Sequence, residues 1–136
     1  MIGGFHSPME RECLALLLRG AAPVILCPAK GLAGLRLGAE VRVALEEGRL
    51  LAVSPFAENV RRTTAARALR RNLLVAFFGR AVLTPHAAPG GKTWVAVRAA
   101  LDWGKSVFTF DIVDNAGLLE AGARPFAELN TDDIGK

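Results

Sequence analysis

Four short apolar runs punctuate the chain: Pro23-Val24-Ile25-Leu26-Cys27, Leu50-Leu51-Ala52-Val53, Ala81-Val82-Leu83-Thr84 and Ser106-Val107-Phe108-Thr109-Phe110. Each is strand-length and continuously apolar or β-branched, the pattern of strands covered on both faces. Between them lie segments of helical periodicity, too long for hairpin turns and of the right length for βαβ crossovers. A chain punctuated in this way belongs to the α/β class: a three-layer α/β/α arrangement around a mostly parallel sheet. The first strand has to include Ile2, which leaves the sheet short at that edge. A short, unprotected edge invites pairing with a second copy, so a homodimer is expected.

The first helix is read from Pro8 to Arg19, where Ser7, Pro8 and Glu10 supply a capping hydroxyl, a first-turn proline and a carboxylate at the positive end of the dipole. The second runs from Ala39 to Glu47 and stops at Gly48. The third starts at Thr63 or Thr64 and ends at Phe78, basic in its first half and apolar on all sides in its second. That asymmetry predicts one end buried and the other at a rim, with Arg67, Arg70 and Arg71 near solvent. Thr93 to Trp103 gives a fourth helix and Asp114 to Ala123 a short last one. Residues 1–127 are read as a single domain, and residues 128–136 as a polar C-terminal tail that frays.

No apolar run approaches the length of a membrane span, and Met1-Ile2-Gly3-Gly4 has no secretory pattern, so a soluble cytoplasmic protein without membrane contact is expected. Cys13 and Cys27 are then small buried hydrophobes in a reducing compartment.

Charge is distributed unevenly. No Asp or Glu occurs between Asn59 and Leu101, a stretch holding Arg61, Arg62, Arg67, Arg70, Arg71, Arg80, Lys92 and Arg98. This segment carries +8 within a chain whose formal net charge is +4. Such a concentration reads either as a solvated face or as a surface for a polyanion.

In an open parallel sheet, ligands sit beyond the carboxyl ends of the strands. The loops there are Gly3-Gly4-Phe5-His6-Ser7, Pro28-Ala29-Lys30-Gly31, Ser54-Pro55, the stretch from Pro85 to Thr93, and Asp111 with Asp114 and Asn115. Two of these loops are glycine pairs opening a helix, where backbone can approach an anion and first-turn N–H groups can bind it. Gly90-Gly91-Lys92-Thr93 adds a lysine and a hydroxyl to that geometry. Gly3-Gly4 with Ser7 reads equally well as a structural turn. A Walker P-loop is excluded because His86 stands where its first glycine belongs, and no Gly-x-Gly-x-x-Gly follows a strand. His6 and His86 lack metal-ligand spacing, so neither a metal nor any other cofactor is expected. Asp111 is the best-placed carboxylate for catalysis, and it reads more readily as a helix-capping or loop-ordering residue. No residue is committed to catalysis. Phe5, Phe56 and Trp94 are the aromatic candidates for stacking a base.

In order along the chain, these motifs resemble the Rossmann-like core of the DNA-processing protein A (Smf) family, single-stranded DNA-binding proteins of transformation and recombination. Gly3-Gly4 resembles the family's first glycine loop, and Ile25 to Leu32 its strand ending in a Gly-Leu turn. Gly48 to Pro55 resembles the next strand, and Arg70-Arg71-Asn72-Leu73-Leu74-Val75-Ala76 its Arg-Asn helix. Ala81 to Thr84, Gly90-Gly91-Lys92-Thr93 and Gly104 to Phe110 resemble the last two strands and the glycine loop between them. Leu73 departs from the pattern, standing where a second arginine is common.

The resemblance implies single-stranded DNA or a nucleotide as partner. Phosphates would lie against Gly3, Gly4, His6, Ser7, Lys30, Ser54, Gly90, Gly91, Lys92 and Thr93, and nucleic acid against Arg62, Arg67, Arg70, Arg71 and Asn72. A recombinase partner belongs to the family, but the residues of this chain do not support it. The related cytokinin-activating phosphoribohydrolases of the lysine-decarboxylase-like superfamily use a loop similar to Pro89-Gly90-Gly91-Lys92-Thr93. Trp94 to Ala96 supply no acid after it, which counts against hydrolysis; a nucleotide-hydrolysing enzyme or a small-nucleotide sensor is the alternative to a binding protein.

Overall fold

Every apolar run becomes a strand and every periodic segment a helix in the computed structural model of the chain, which describes residues 1–134. The order is β1 (Ile2–Gly3), α1 (Pro8–Arg19), β2 (Val24–Leu26), α2 (Ala39–Glu46), β3 (Leu50–Ala52), α3 (Ala65–Phe78), β4 (Ala81–Leu83), α4 (Lys92–Asp102), β5 (Ser106–Thr109), α5 (Ala116–Glu120), β6 (Arg124–Pro125) and α6 (Thr131–Ile134). The chain divides into two compact units, Met1–Arg71 and Asn72–Lys136, with the boundary inside α3.

In the first unit β1, β2 and β3 form a parallel sheet in that order, Ile25 standing opposite both Ile2 and Leu51. Phe5, Leu14, Val24, Leu26, Ala44 and Leu50 make its core, with Leu17, Leu18 and Val41 packed against them. Each large side chain buried there contributes about 1.5–3 kcal/mol. Helix α1 starts where its chemistry predicts, in a capping box. The Ser7 hydroxyl accepts from the Glu10 amide at 3.3 Å, and the Ser7 amide donates to the Glu10 carboxylate at 2.9 Å. Helix α2 runs into Gly48, whose φ of +72° only glycine adopts without strain.

In the second unit β4, β5 and β6 are also parallel and in chain order. Val97 and Ala100 on α4 pack with Val107, Leu118 and Ala123, and Ala96 on the same helix is buried. Strand β6 has no sequence signature, being two residues long and ending in a proline, which cannot donate to a ladder and is confined to sheet edges.

The parallel α/β, Rossmann-like class is the one expected, its strands falling into two three-stranded sheets. The apolar second half of α3 departs from expectation: Phe77 and Phe78 are exposed, packed edge-to-face on each other, with Phe77 also against Trp103. Of the polar stretch from Glu128, Thr131–Ile134 is helical. Arg124 holds Glu128 at 3.2 Å and Asp133 at 3.1 Å. Residues 135–136 of that stretch lie outside the described residues. No described helix is long and apolar enough to cross a membrane.

Candidate functional site

Ligand-side loops occur in both units. In the first, the strands deliver Gly4-Phe5-His6-Ser7, Cys27 to Gly31 and Val53 to Phe56 to the carboxyl end of the sheet. These loops lock to one another. The Ser54 hydroxyl donates to the Lys30 carbonyl at 2.7 Å and accepts the Phe56 amide at 3.1 Å. Gly31 donates to the Val60 carbonyl, and a Cβ on it would stand 2.2 Å from the Ala57 carbonyl oxygen, so this close approach requires glycine. Phe5 takes φ +47°, a region a bulky residue enters only when its surroundings compel it. Its ring folds back over Gly3.

Arg71 corrects the reading of α3. Expected near solvent with Arg67 and Arg70, it is 5% exposed and donates through Nη1 to the Cys27 carbonyl at 3.0 Å. Its guanidinium lies on Gly4, where a Cβ would sit 1.7 Å from Nη1. Burial pushes the Arg71 guanidinium below the usual arginine range, while Glu10 and then Cys27 hold it up. Burial likewise raises the Cys27 thiol, against a smaller lowering by Arg71. The first glycine pair thus admits a guanidinium of the chain itself. The start of α1 already holds the Glu10 carboxylate, and the Ser7 hydroxyl is engaged in its own cap.

Further along the basic segment, Arg70 is exposed, and its guanidinium stands 5.8 Å from the Phe56 ring centroid. Arg62 is exposed, its carbonyl accepting from Arg67 Nη1 at 2.8 Å; Arg67 and Asn72 are half-buried. His6 is exposed and Lys30 half-buried. Of the stacking candidates, Phe5 is buried and Trp94 packs against the core of the second unit, which leaves Phe56.

In the second unit the loop from Pro85 turns through Gly90 at φ +77°, and Gly91 donates back to the Ala88 carbonyl at 3.1 Å. Gly91 is then the N-cap of α4. Among the described residues no side chain caps this eleven-residue helix, and its first turn carries no acid but Lys92, which is exposed. Thr93, half-buried, does not cap. The two glycine pairs therefore differ: α1 begins on a carboxylate and a serine, α4 on bare amides and a lysine. Asn115, which the sequence placed in a ligand-side loop but gave no role, ties the loops of this unit together. It is fully buried and donates through Nδ2 to the carbonyls of Pro85 and Phe110, joining the loops after β4 and β5. A lone asparagine beyond a strand carries no signal of such a role. Asp111 is exposed. No group of three or more His, Cys, Asp or Glu suited to a metal occurs among the described residues.

Parallel strands alternating with helices, in both units, define a Rossmann-like α/β fold. No protein-family model matches the sequence, and no curated protein matches it. Among solved structures, the chain is similar to DNA processing protein A from Streptococcus pneumoniae, with a TM-score of 0.73 and 17% identity over 95% of this chain. The match spans 50% of that protein. The likeness establishes a fold of the DNA processing protein A kind.

Proposed function

We propose that this chain binds single-stranded DNA or a nucleotide, holding phosphate at the start of α4. The observation that carries this reading is the contrast between the two glycine-led helices. The α4 start offers Gly90, Gly91, Lys92 and Thr93 with no acid in the first turn and no side chain on its amides, the arrangement that favours an anion. In the first unit, Arg62, Arg67 and Arg70, together with Lys30, are separate cations open to a polyanion, as Asn72 is a polar contact in the second. Phe56 with Arg70 over its ring is a platform for an unpaired base. The name of the similar structure, a DNA processing protein, agrees in kind with this reading. Homodimer formation through the short β1 edge is part of the same proposal, and sedimentation at twice the mass of the 136-residue chain would support it.

The test is titration of a fluorescent oligothymidine at low salt. Binding is expected, weakened in Lys92→Ala and in Arg70→Ala with both variants folded by circular dichroism. Absence of binding by the intact chain at low salt sinks the reading. Equal affinity in the intact chain and both variants would place the contacts elsewhere and remove α4 from it.

A further inference from the structure

Two arginines stand outside the acid-free segment, on either side of the Gly38 that opens α2: Arg36 and Arg42. With Leu35 and Leu37 they line a cleft of about 530 Å³ in the first unit. Both leucines are half-buried and pack against the core of that unit, which fixes the apolar part of the lining. Arg42 is held as well. Its Nη2 donates to the Leu37 carbonyl at 3.2 Å, and its other N–H groups keep the planar fork that matches a phosphate. Glu40, two positions earlier on α2, lies about 200° around the helix from Arg42. Arg61 joins this patch from the acid-free segment. Gly34 turns at φ +71°, and a Cβ on it would stand 2.7 Å from Arg61 Nη1, so that guanidinium lies on the loop that carries Arg36. All three arginines are exposed, and among the described residues none pairs with a carboxylate.

Three guanidiniums gathered on one short loop without counter-charges repel one another, and a polyanion laid across them relieves the repulsion. The fold itself uses one N–H of Arg42 and makes no use of Arg36. A concave cleft with cations and an apolar lining suits a sugar-phosphate unit better than a flat anionic surface. The patch is also continuous with the basic side chains of the same unit: Arg61 adjoins Arg62, whose carbonyl holds Arg67 at 2.8 Å, one turn of α3 before Arg70 and its partner Phe56. We propose that the cleft of Arg36 and Arg42 is a further phosphate subsite, to which single-stranded nucleic acid runs past Arg61 from the platform of Phe56 and Arg70. This inference rests on the reading of the chain as a binder of single-stranded DNA. It extends the contact surface to two residues that lie outside the charged segment.

The test is titration of a fluorescent oligothymidine over a range of salt, in the intact chain and in the double variant Arg36→Ala/Arg42→Ala. The variant is expected to bind about tenfold more weakly at low salt, with a salt slope shallower by about 1.4, two contacts at about 0.7 each. Arg36 has no bond in the fold to lose, so Arg36→Ala alone carries the test should the double variant fail to fold; its slope should be shallower by about 0.7. Unchanged affinity and slope in folded variants, with the intact chain binding, overturns the subsite and leaves the proposed function standing. Binding to phosphatidylserine vesicles is measured alongside. Loss of vesicle binding in the double variant with oligothymidine affinity unchanged gives the cleft to an anionic lipid surface and overturns the assignment to nucleic acid. Failure of the intact chain to bind oligothymidine at low salt overturns both the subsite and the reading on which it rests.

Discussion

Gly4 and Arg71 are sixty-odd positions apart in sequence and occupy one another's space, and each explains the other. A methyl group at Gly4 must displace a guanidinium that is buried and bonded to the Cys27 carbonyl. Gly4→Ala is expected to destabilise the protein by about 3 kcal/mol, the combined scale of overpacking and of a disturbed charged hydrogen bond. Urea unfolding would measure it. In a double-mutant cycle with Arg71→Lys the two costs should fail to add by more than about 0.5 kcal/mol; strict additivity would show that the contact does not matter.

Cys27 makes a prediction in pH. Its thiol is raised by burial in the folded protein, so above the unfolded thiol value, about 8.5, the folded state binds more protons than the unfolded one. Stability from this group is complete below that value and is lost as pH rises toward the raised folded value. The urea midpoint should therefore fall on the alkaline side, and Cys27→Ala should flatten the fall. An equal slope in both proteins would assign the alkaline loss to other groups.

At the scale of elements, α1 and α4 begin with the same glycine pairing and finish their first turns differently. Sequence showed where α1 starts, with Ser7 as its cap and Glu10 at the positive end of the dipole, because these residues are local; the structure adds that Glu10 closes a capping box. Sequence could not show that the Gly3-Gly4 turn would be taken up by Arg71, since that depends on a residue delivered by another helix. The open start of α4 leads to a substitution that separates stability from binding. Gly91→Asp supplies the missing cap at a position of ordinary φ, and glycine is only a few tenths of a kcal/mol worse than the good capping residues. A Cβ there comes within 3.1 Å of the Ala88 carbonyl oxygen, which offsets part of the gain. Stability should therefore change by no more than about 0.5 kcal/mol, while oligothymidine affinity falls as the new carboxylate takes the anion's place. Retained affinity would rule out α4 as the phosphate holder.

For the whole molecule, the decisive property is the separation of charge along the chain, +8 between Asn59 and Leu101. Each of Lys92, Arg62, Arg67 and Arg70 that neutralises one phosphate should steepen the fall of the logarithm of the binding constant with the logarithm of salt by about −0.7. Each single alanine variant should reduce the slope by about one contact. A flat salt dependence would mean that any binding is not to phosphate.

What the sequence determined by itself were the properties that depend on near neighbours. Unbroken apolar runs fixed the strands, periodic segments the helices, and their alternation the parallel α/β class; Pro8–Arg19 was legible to the residue because both its ends are signalled locally. Tertiary structure decided how long side chains are used. Arg70 and Arg71 are adjacent and chemically identical, yet one is exposed above Phe56 and the other buried on Gly4. Consecutive positions on a helix point about 100° apart, so what each one meets depends on the packing around α3. The same holds for Phe77 and Phe78, apolar in sequence and exposed in the structure, and for Asn115, which orients His86 only because two loops from different strands meet around it.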